Sequence, residues 1–179
     1  MVASSRQAFV GAGSNLGNRI EMLKGAFDAL RARPETTGIV SSSIFETLPV
    51  GVTAQPFFLN AVFGIETSES PEGLLNTLLE IEQGFGRIRG ERWGARTLDL
   101  DLLVFEGERR SSDVLQLPHP RMLERGFVTA PLRELLSAPR VQTPRWKELR
   151  ERLAAAHPDE SGCRWAYDGF TPDSPPHAE

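Results

Sequence analysis

Two acids stand one residue apart in Thr97-Leu98-Asp99-Leu100-Asp101-Leu102. If this stretch is a strand, alternation turns the three leucines to one face and both carboxylates to the other, with Cβ atoms roughly 6–7 Å apart. Like charges aimed at one place repel unless a cation joins them. Hard oxygen ligands without a neighbouring His or Cys favour magnesium over zinc. Two magnesium ions, roughly 3.5–4 Å apart, fit between such carboxylates and a polyphosphate. A bare Asp-x-Asp is more often a solvated pair on a half-exposed strand, so the flanking residues decide.

Those residues are Gly86-Arg87-Ile88-Arg89-Gly90-Glu91-Arg92-Trp93-Gly94-Ala95-Arg96, with four arginines and a tryptophan. Guanidinium forks match phosphate oxygens, which makes arginines and metal-binding acids complementary parts of a nucleotide polyphosphate site. The glycines predict a lid that orders when its arginines meet phosphate and so keeps water, a competing acceptor, from the transfer. His119 lies between Pro118 and Pro120 with Arg121 and Arg125 close by. A lone histidine is usually structural, but beside two arginines it can donate to a phosphate or leaving oxygen. The segment Gly11-Ala12-Gly13-Ser14-Asn15-Leu16-Gly17 has neither the dinucleotide glycine spacing nor a following Gly-Lys-Ser/Thr. It reads as a tight turn into a helix, with a backbone that can border the site. For an acceptor, Asn60, Phe58 and Phe127 offer an amide with both a donor and an acceptor, and rings for stacking, as a flat heteroaromatic requires.

The elements that must position these residues follow from periodicity. Ala8–Ala12 is a short apolar run, and Ile20, Leu23, Phe27 and Leu30 recur at spacings of three and four, predicting a strand and then an amphipathic helix stopped by Pro34. Gly38–Glu46 predicts a second strand. Thr47–Phe58, with two prolines and a glycine, predicts a long loop feeding a third strand in which Leu59, Ala61, Phe63 and Ile65 alternate with Asn60 and Val62. Ser70-Pro71-Glu72 starts a helix whose buried stripe includes Leu74, Leu75, Leu78, Leu79 and Ile81. Leu98–Phe105 is the fourth strand.

The order βαββαβ predicts an α+β, ferredoxin-like sandwich: an antiparallel sheet with helices on one face and the active site on the other. Short helices are expected at Met122–Arg125 and Pro131–Leu136, and another from about Arg145 to Ala155. Residues 1–156 are expected to form a single domain. A weakly ordered tail is expected over residues 157–179, although Trp165, Tyr167 and Phe170 are unusual in a disordered stretch.

Bulk properties narrow the partners. The chain has 179 residues, 40% of them hydrophobic, enough for one core without disulfide or metal staples. Its formal charge of -4 argues against a broad nucleic-acid face. No run suits a membrane span, Met1–Gln7 lacks the layout of a signal peptide, and Cys163 is the single cysteine. The expectation is a soluble, cytoplasmic monomer that binds small molecules in a reducing compartment. On the residues alone, a metal-dependent phosphohydrolase or nucleotidyltransferase, and a small-ligand regulatory module, remain alternatives to a phosphoryl-group transferase.

The run from Arg92 to Leu103 resembles the signature of the 6-hydroxymethyl-7,8-dihydropterin pyrophosphokinases of folate biosynthesis. Gly13–Asn18, Thr47–Gly51, Gln55–Asn60, Pro118–Arg121 and Glu124–Phe127 are similar to further motifs of that family in the expected order. The resemblance covers about residues 8–139. It implies a ferredoxin-like fold, ATP as donor, AMP as product, and two magnesium ions on Asp99 and Asp101. It implies nucleotide contacts by Arg87, Arg89, Arg92, Arg96, His119 and Arg125, and pterin contacts by Thr47, Val50, Phe58, Asn60, Trp93 and Phe127. Arg87 and Arg96 join the two acids as catalytic candidates. Val114 and Gln116 depart from the family pattern, standing where some members carry an Arg and a Thr near the nucleotide.

Overall fold

The computed structural model describes residues 5–51, 54–86, 97–139, 141 and 143–170. The chain runs through β1 (Arg6–Ser14), α1 (Arg19–Arg31), β2 (Thr36–Ser41), β3 (Ile44–Thr47), β4 (Phe58–Thr67), α2 (Pro71–Gly84) and β5 (Asp99–Phe105). It continues through the short pair β6 (Arg110–Ser111) and β7 (Gln116–Leu117), then α3 (Gly126–Ser137), a 3-10 turn at Pro144–Trp146, α4 (Lys147–Ala155) and β8 (Cys163–Tyr167).

Local chemistry sets the helix starts. Gly17, with φ +65, makes the turn after β1, and the Asn18 side chain accepts from the Glu21 N–H at 3.4 Å to cap α1. In α2 the Ser70 hydroxyl accepts from the Gly73 N–H at 3.0 Å, and Pro71 occupies the first helical turn.

The main sheet has the order β5-β1-β4-β3-β8, with β2 also pairing β4, and every pairing is antiparallel. The expected strand at 38–46 is therefore two, both on the same edge of β4. Between the pairs Ser41↔Phe63 and Phe45↔Asn60, the chain advances four residues against three in β4. The extra residue is absorbed at Ser42–Ser43 as a bulge. The Ser42 N–H donates to the Val62 carbonyl at 2.9 Å and its hydroxyl accepts from the Val62 N–H at 2.9 Å, while Glu134 of α3 accepts from the Ser43 N–H. The backbone N–H groups of Ser42, Ser43 and Val62 are thereby satisfied.

Alternation along the strands divides the core. Ala8, Val10, Ala12, Phe63, Leu98, Leu100 and Leu102 pack with Leu23, Phe27 and Leu30 of α1 and Leu74 and Leu78 of α2. Each fully buried large side chain here contributes about 2 kcal/mol. On the opposite face Phe9, Val62, Leu103 and Val104 pack under Val128, Leu132 and Leu135 of α3 and Leu149 and Leu153 of α4. This corrects the expectation that helices lie on one face only. The second face is covered where it carries Phe9 and Leu103, and the end bearing Gly11 and Gly13 borders a cleft.

Three further expectations are corrected. Residues 126–137 form one helix that runs through Pro131, whereas the sequence reading used that proline as a helix start. The turn at 121–124 is not a helix. The supposedly weak tail forms β8, which pairs with β3 from Ile44↔Tyr167 to Thr47↔Cys163, and Phe170 packs against Phe27 and Phe63 at 5.6 and 6.3 Å between ring centroids. The core thus recruits Phe170 from beyond β8.

Candidate active site

The cleft is built on a floor without side chains. Gly13 pairs with Asp99 on one side and Asn60 on the other, and Gly11 pairs with Asp101 and Val62. Alternation puts these side chains on the cleft face, while Leu98, Leu100 and Leu102 go to the core, as expected from the sequence. A Cβ on Gly13 would stand 2.7 Å from Asn60 Oδ1, so the backbone and that amide approach each other as only glycine permits.

At one end of the floor lie Asp99 and Asp101. Arg125 reaches Asp101 Oδ2 at 3.5 Å and its guanidinium lies 5.6 Å from the centroid of the Phe127 ring. The His119 N–H donates to the Leu103 carbonyl at 2.7 Å, which fastens the Pro118–Pro120 turn to β5 just beyond the acids. Nδ1 of His119 accepts from the Arg121 N–H at 3.2 Å, leaving Nε2 as the donor of the neutral ring. Burial first, then the charges of Arg125 and Arg121, hold the imidazole below its ordinary pKa, against a smaller upward pull from Asp99. Near neutral pH this histidine is an uncharged donor. Glu82, 2% exposed in the last turn of α2, accepts the Leu100 N–H at 2.6 Å. It thus caps the β5 backbone between the two acids from the edge away from β1.

At the other end, Asn60 Nδ2 donates to Thr47 Oγ1 at 2.6 Å, and both residues are buried. Phe58, Leu48, Val50, Phe127 and Val128 surround this pair. Leu48 and Val50 are each 53% exposed and form a rim. The incoming loop is held by Asn15, which donates to Gln55 Oε1 at 2.9 Å and the Pro56 carbonyl at 3.1 Å, and by Arg19, which donates to the Phe57 carbonyl at 2.8 Å.

Of the residues singled out from sequence, Asp99, Asp101, His119, Arg125, Thr47, Val50, Phe58, Asn60 and Phe127 line this one cleft. Arg87, Arg89, Arg92, Trp93 and Arg96 lie outside the described residues. Sequence reasoning gave no role to Leu48 or Val128; it expected the backbone of Gly11–Gly17 to border the site, as Gly11 and Gly13 do, but as a tight turn rather than as the end of β1. The signal for the floor was present: two glycines at i and i+2 of a strand share a face.

Among the described residues no cluster of three His, Cys, Asp or Glu side chains is arranged to hold a metal. Two strand carboxylates suit a cation that keeps water and substrate oxygens as its other ligands, which is the habit of magnesium. No described helix is long and apolar enough to cross a membrane.

The fold is mixed α/β with an antiparallel sheet, and its cleft joins an acidic corner to a buried amide among aromatic rings. The family model for 7,8-dihydro-6-hydroxymethylpterin-pyrophosphokinase (HPPK) matches residues 9–137, and the chain belongs to that family. It is 43% identical over 129 residues to the 2-amino-4-hydroxy-6-hydroxymethyldihydropteridine pyrophosphokinase of Methylorubrum extorquens, covering 72% of this chain and 82% of that one. It is 40% identical over 157 residues to the protein of the same name from Bacillus subtilis, covering 88% of each. A crystal structure of an HPPK-DHPS in complex with substrates aligns with a TM-score of 0.56 at 13% identity, over 75% of this chain and 40% of that chain. That likeness speaks for the fold alone.

Proposed function

We propose that the protein transfers the terminal pyrophosphoryl group of ATP to the hydroxymethyl group of 6-hydroxymethyl-7,8-dihydropterin and releases AMP, a step of folate synthesis. The observation that carries this reading is the rung Asp99–Gly13–Asn60. Two strand spacings, roughly 10 Å, separate an acid from a buried amide with only a glycine between them. That is a span for a flat two-ring heterocycle whose one-carbon arm points toward the acids.

In this reading Thr47 and Asn60 recognise the polar edge of the pterin, and Phe58, Phe127, Val50 and Trp93 enclose its rings. Asp99 and Asp101 hold two magnesium ions, which when bound neutralise charge on the triphosphate. His119 and Arg125, with Arg87, Arg89, Arg92 and Arg96 of the preceding segment, bind the nucleotide and its phosphates. Arg87 and Arg96 act on the transferring group. The hydroxymethyl oxygen forms a bond to the β-phosphorus, the bond from that phosphorus to the α,β-bridging oxygen breaks, and the hydroxyl proton leaves to solvent. In this reading positioning and electrostatic stabilisation supply most of the rate.

The strand order β5-β1-β4 followed by β2 and β3, with α1 and α2 on one face, supports a ferredoxin-like core extended by β8 and covered in part by α3 and α4. We read residues 1–156 as the pyrophosphokinase domain, acting as a cytoplasmic monomer on small molecules, with the segment after it joined through β8. Incubation with MgATP and the hydroxymethyl dihydropterin, followed by chromatography, is expected to give one AMP per pyrophosphorylated pterin. Release of ADP, orthophosphate or free pyrophosphate without that product overturns the reading.

A further inference from the structure

The walls of the cleft come from distant parts of the chain. Thr47 and Leu48 stand at the end of β3, and Phe127 and Val128 at the start of α3. What joins them is a short piece of the C-terminal segment, residues 159–163, which lies beyond the span of the family match. Its turn is closed by Asp159 Oδ1, which accepts from the N–H and hydroxyl of Ser161 at 3.0 and 2.6 Å, and by the Cys163 N–H, which donates to the Glu160 carbonyl at 2.9 Å.

The turn makes close contact with both walls. On the α3 side its backbone lies so near Gly126 that a Cβ there would stand 2.1 Å from the Asp159 carbonyl oxygen. Glu160 Oε1 accepts from the fully buried Thr129 hydroxyl at 2.6 Å and from Arg133 at 3.1 Å. On the β3 side Cys163 pairs with Thr47, and a Cβ on Gly162 would meet the Leu48 side chain at 3.3 Å. Gly126 precedes Phe127 and Thr129 lies two residues after it in the first turn of α3, and Thr47 is the residue that accepts from Asn60.

We infer that residues 159–163 are a clamp that sets the width of the acceptor pocket, and that Glu160 is its positioning residue, acting through Thr129 on Phe127 and through the turn on Thr47 and Leu48. This deepens the pterin assignment and rests on it. Glu160 touches no substrate. Its contribution is the separation of two walls between which a planar ring must fit, and displacements of a fraction of an ångström in such a pocket alter affinity.

The test compares wild type, Glu160→Ala and Glu160→Gln in the full chain, with calorimetric binding of hydroxymethyl dihydropterin, binding of a non-hydrolysable ATP analogue, and steady-state kinetics, all well below each protein's Tm. The alanine variant is expected to weaken pterin binding about tenfold while leaving nucleotide affinity within about twofold and kcat at saturation little changed. The glutamine variant keeps the accepting oxygen and is expected to restore wild-type pterin affinity. A folded alanine variant with native pterin affinity, or a glutamine variant as weak as alanine, overturns the clamp. Should Glu160→Ala not fold, Thr129→Val removes the partner hydroxyl at nearly constant volume and carries the same expectation. Wild type that binds ATP but no pterin refutes the acceptor assignment instead, and so separates the two failures.

Discussion

Gly13→Ala is the most informative single change the floor of the cleft allows. The new methyl would lie 2.7 Å from Asn60 Oδ1, about 0.7 Å inside ordinary van der Waals contact, with Phe58 at 3.8 Å behind it. Asn60 has little freedom to yield, because its Nδ2 is committed to Thr47 Oγ1 at 2.6 Å and both residues are buried. The amide must turn and that bond must break. Leaving a buried donor and acceptor without each other costs about 1–3 kcal/mol, which is a loss of about 5- to 150-fold in pterin affinity if it falls on the ligand. In a chain of this size it also lowers Tm by about 2–10 °C. Gly11→Ala is the matched control, since its methyl would meet Leu103 at 3.6 Å, an ordinary contact, and Tm is expected to stay within about 1–2 °C. Calorimetric titration with the pterin and thermal unfolding of both variants measure the contrast. Equal behaviour of the two alanine variants in both assays would refute the claim that Gly13 exists for the approach of Asn60.

Asp99→Asn and Asp101→Asn are each expected to reduce turnover by at least about a hundredfold with an unchanged circular dichroism spectrum, and near-native activity in either purified variant sinks the metal assignment. For His119 the folded pKa is depressed, so the unfolded chain binds more protons at mildly acid pH. Its contribution to stability is therefore present above the unfolded value of about 6.5 and is lost as pH falls from there toward the folded one. Denaturant midpoints measured in EDTA between about pH 7.5 and 5.5 should fall more steeply for wild type than for His119→Gln, and parallel slopes would contradict the burial argument. Cys163 has its thiol pushed up to about 11, by burial and then by Glu160 and Asp159. Iodoacetamide at pH 8 is expected to alkylate it at least about tenfold more slowly than a free cysteine until the protein unfolds; a free-cysteine rate would contradict the pairing of β8.

The parts of the fold that were legible in the sequence are those in which one residue's neighbours along the chain decide its environment. Leu98, Leu100 and Leu102 alternate with Asp99 and Asp101, and that alternation alone predicted which set meets the helices. Ser70-Pro71-Glu72 predicted the start of α2 to the residue. What was not legible depends on partners far away. The break at Ser42–Ser43 is made by an extra residue relative to β4 and completed by Glu134 of α3, and nothing near those serines signals it. Pro131 could be tolerated inside α3 because Val128, Leu132 and Leu135 are already buried against the sheet, so tertiary packing outweighed a local breaker. β8 carries Arg164 and exposed Trp165 and Tyr167 on a five-residue strand, too short and too polar to be recognised without the edge of β3 that receives it.

The same distinction explains the site. Its chemistry is concentrated in short motifs, because carboxylates on one strand face, or a histidine beside two arginines, are fixed by spacing. Its dimensions are not. The distance between the acids and Asn60 is set by the order β5-β1-β4, and the gap between Leu48 and Phe127 by a turn some thirty residues beyond α3's first turn. A sequence motif can therefore state which groups come together in the cleft. How well a ring fits between the walls depends on Gly13, which lets Asn60 approach, and on Glu160, which holds α3 in place. Substitutions at those two positions should separate recognition from chemistry, weakening the binding of one substrate while the acids and the histidine keep their places.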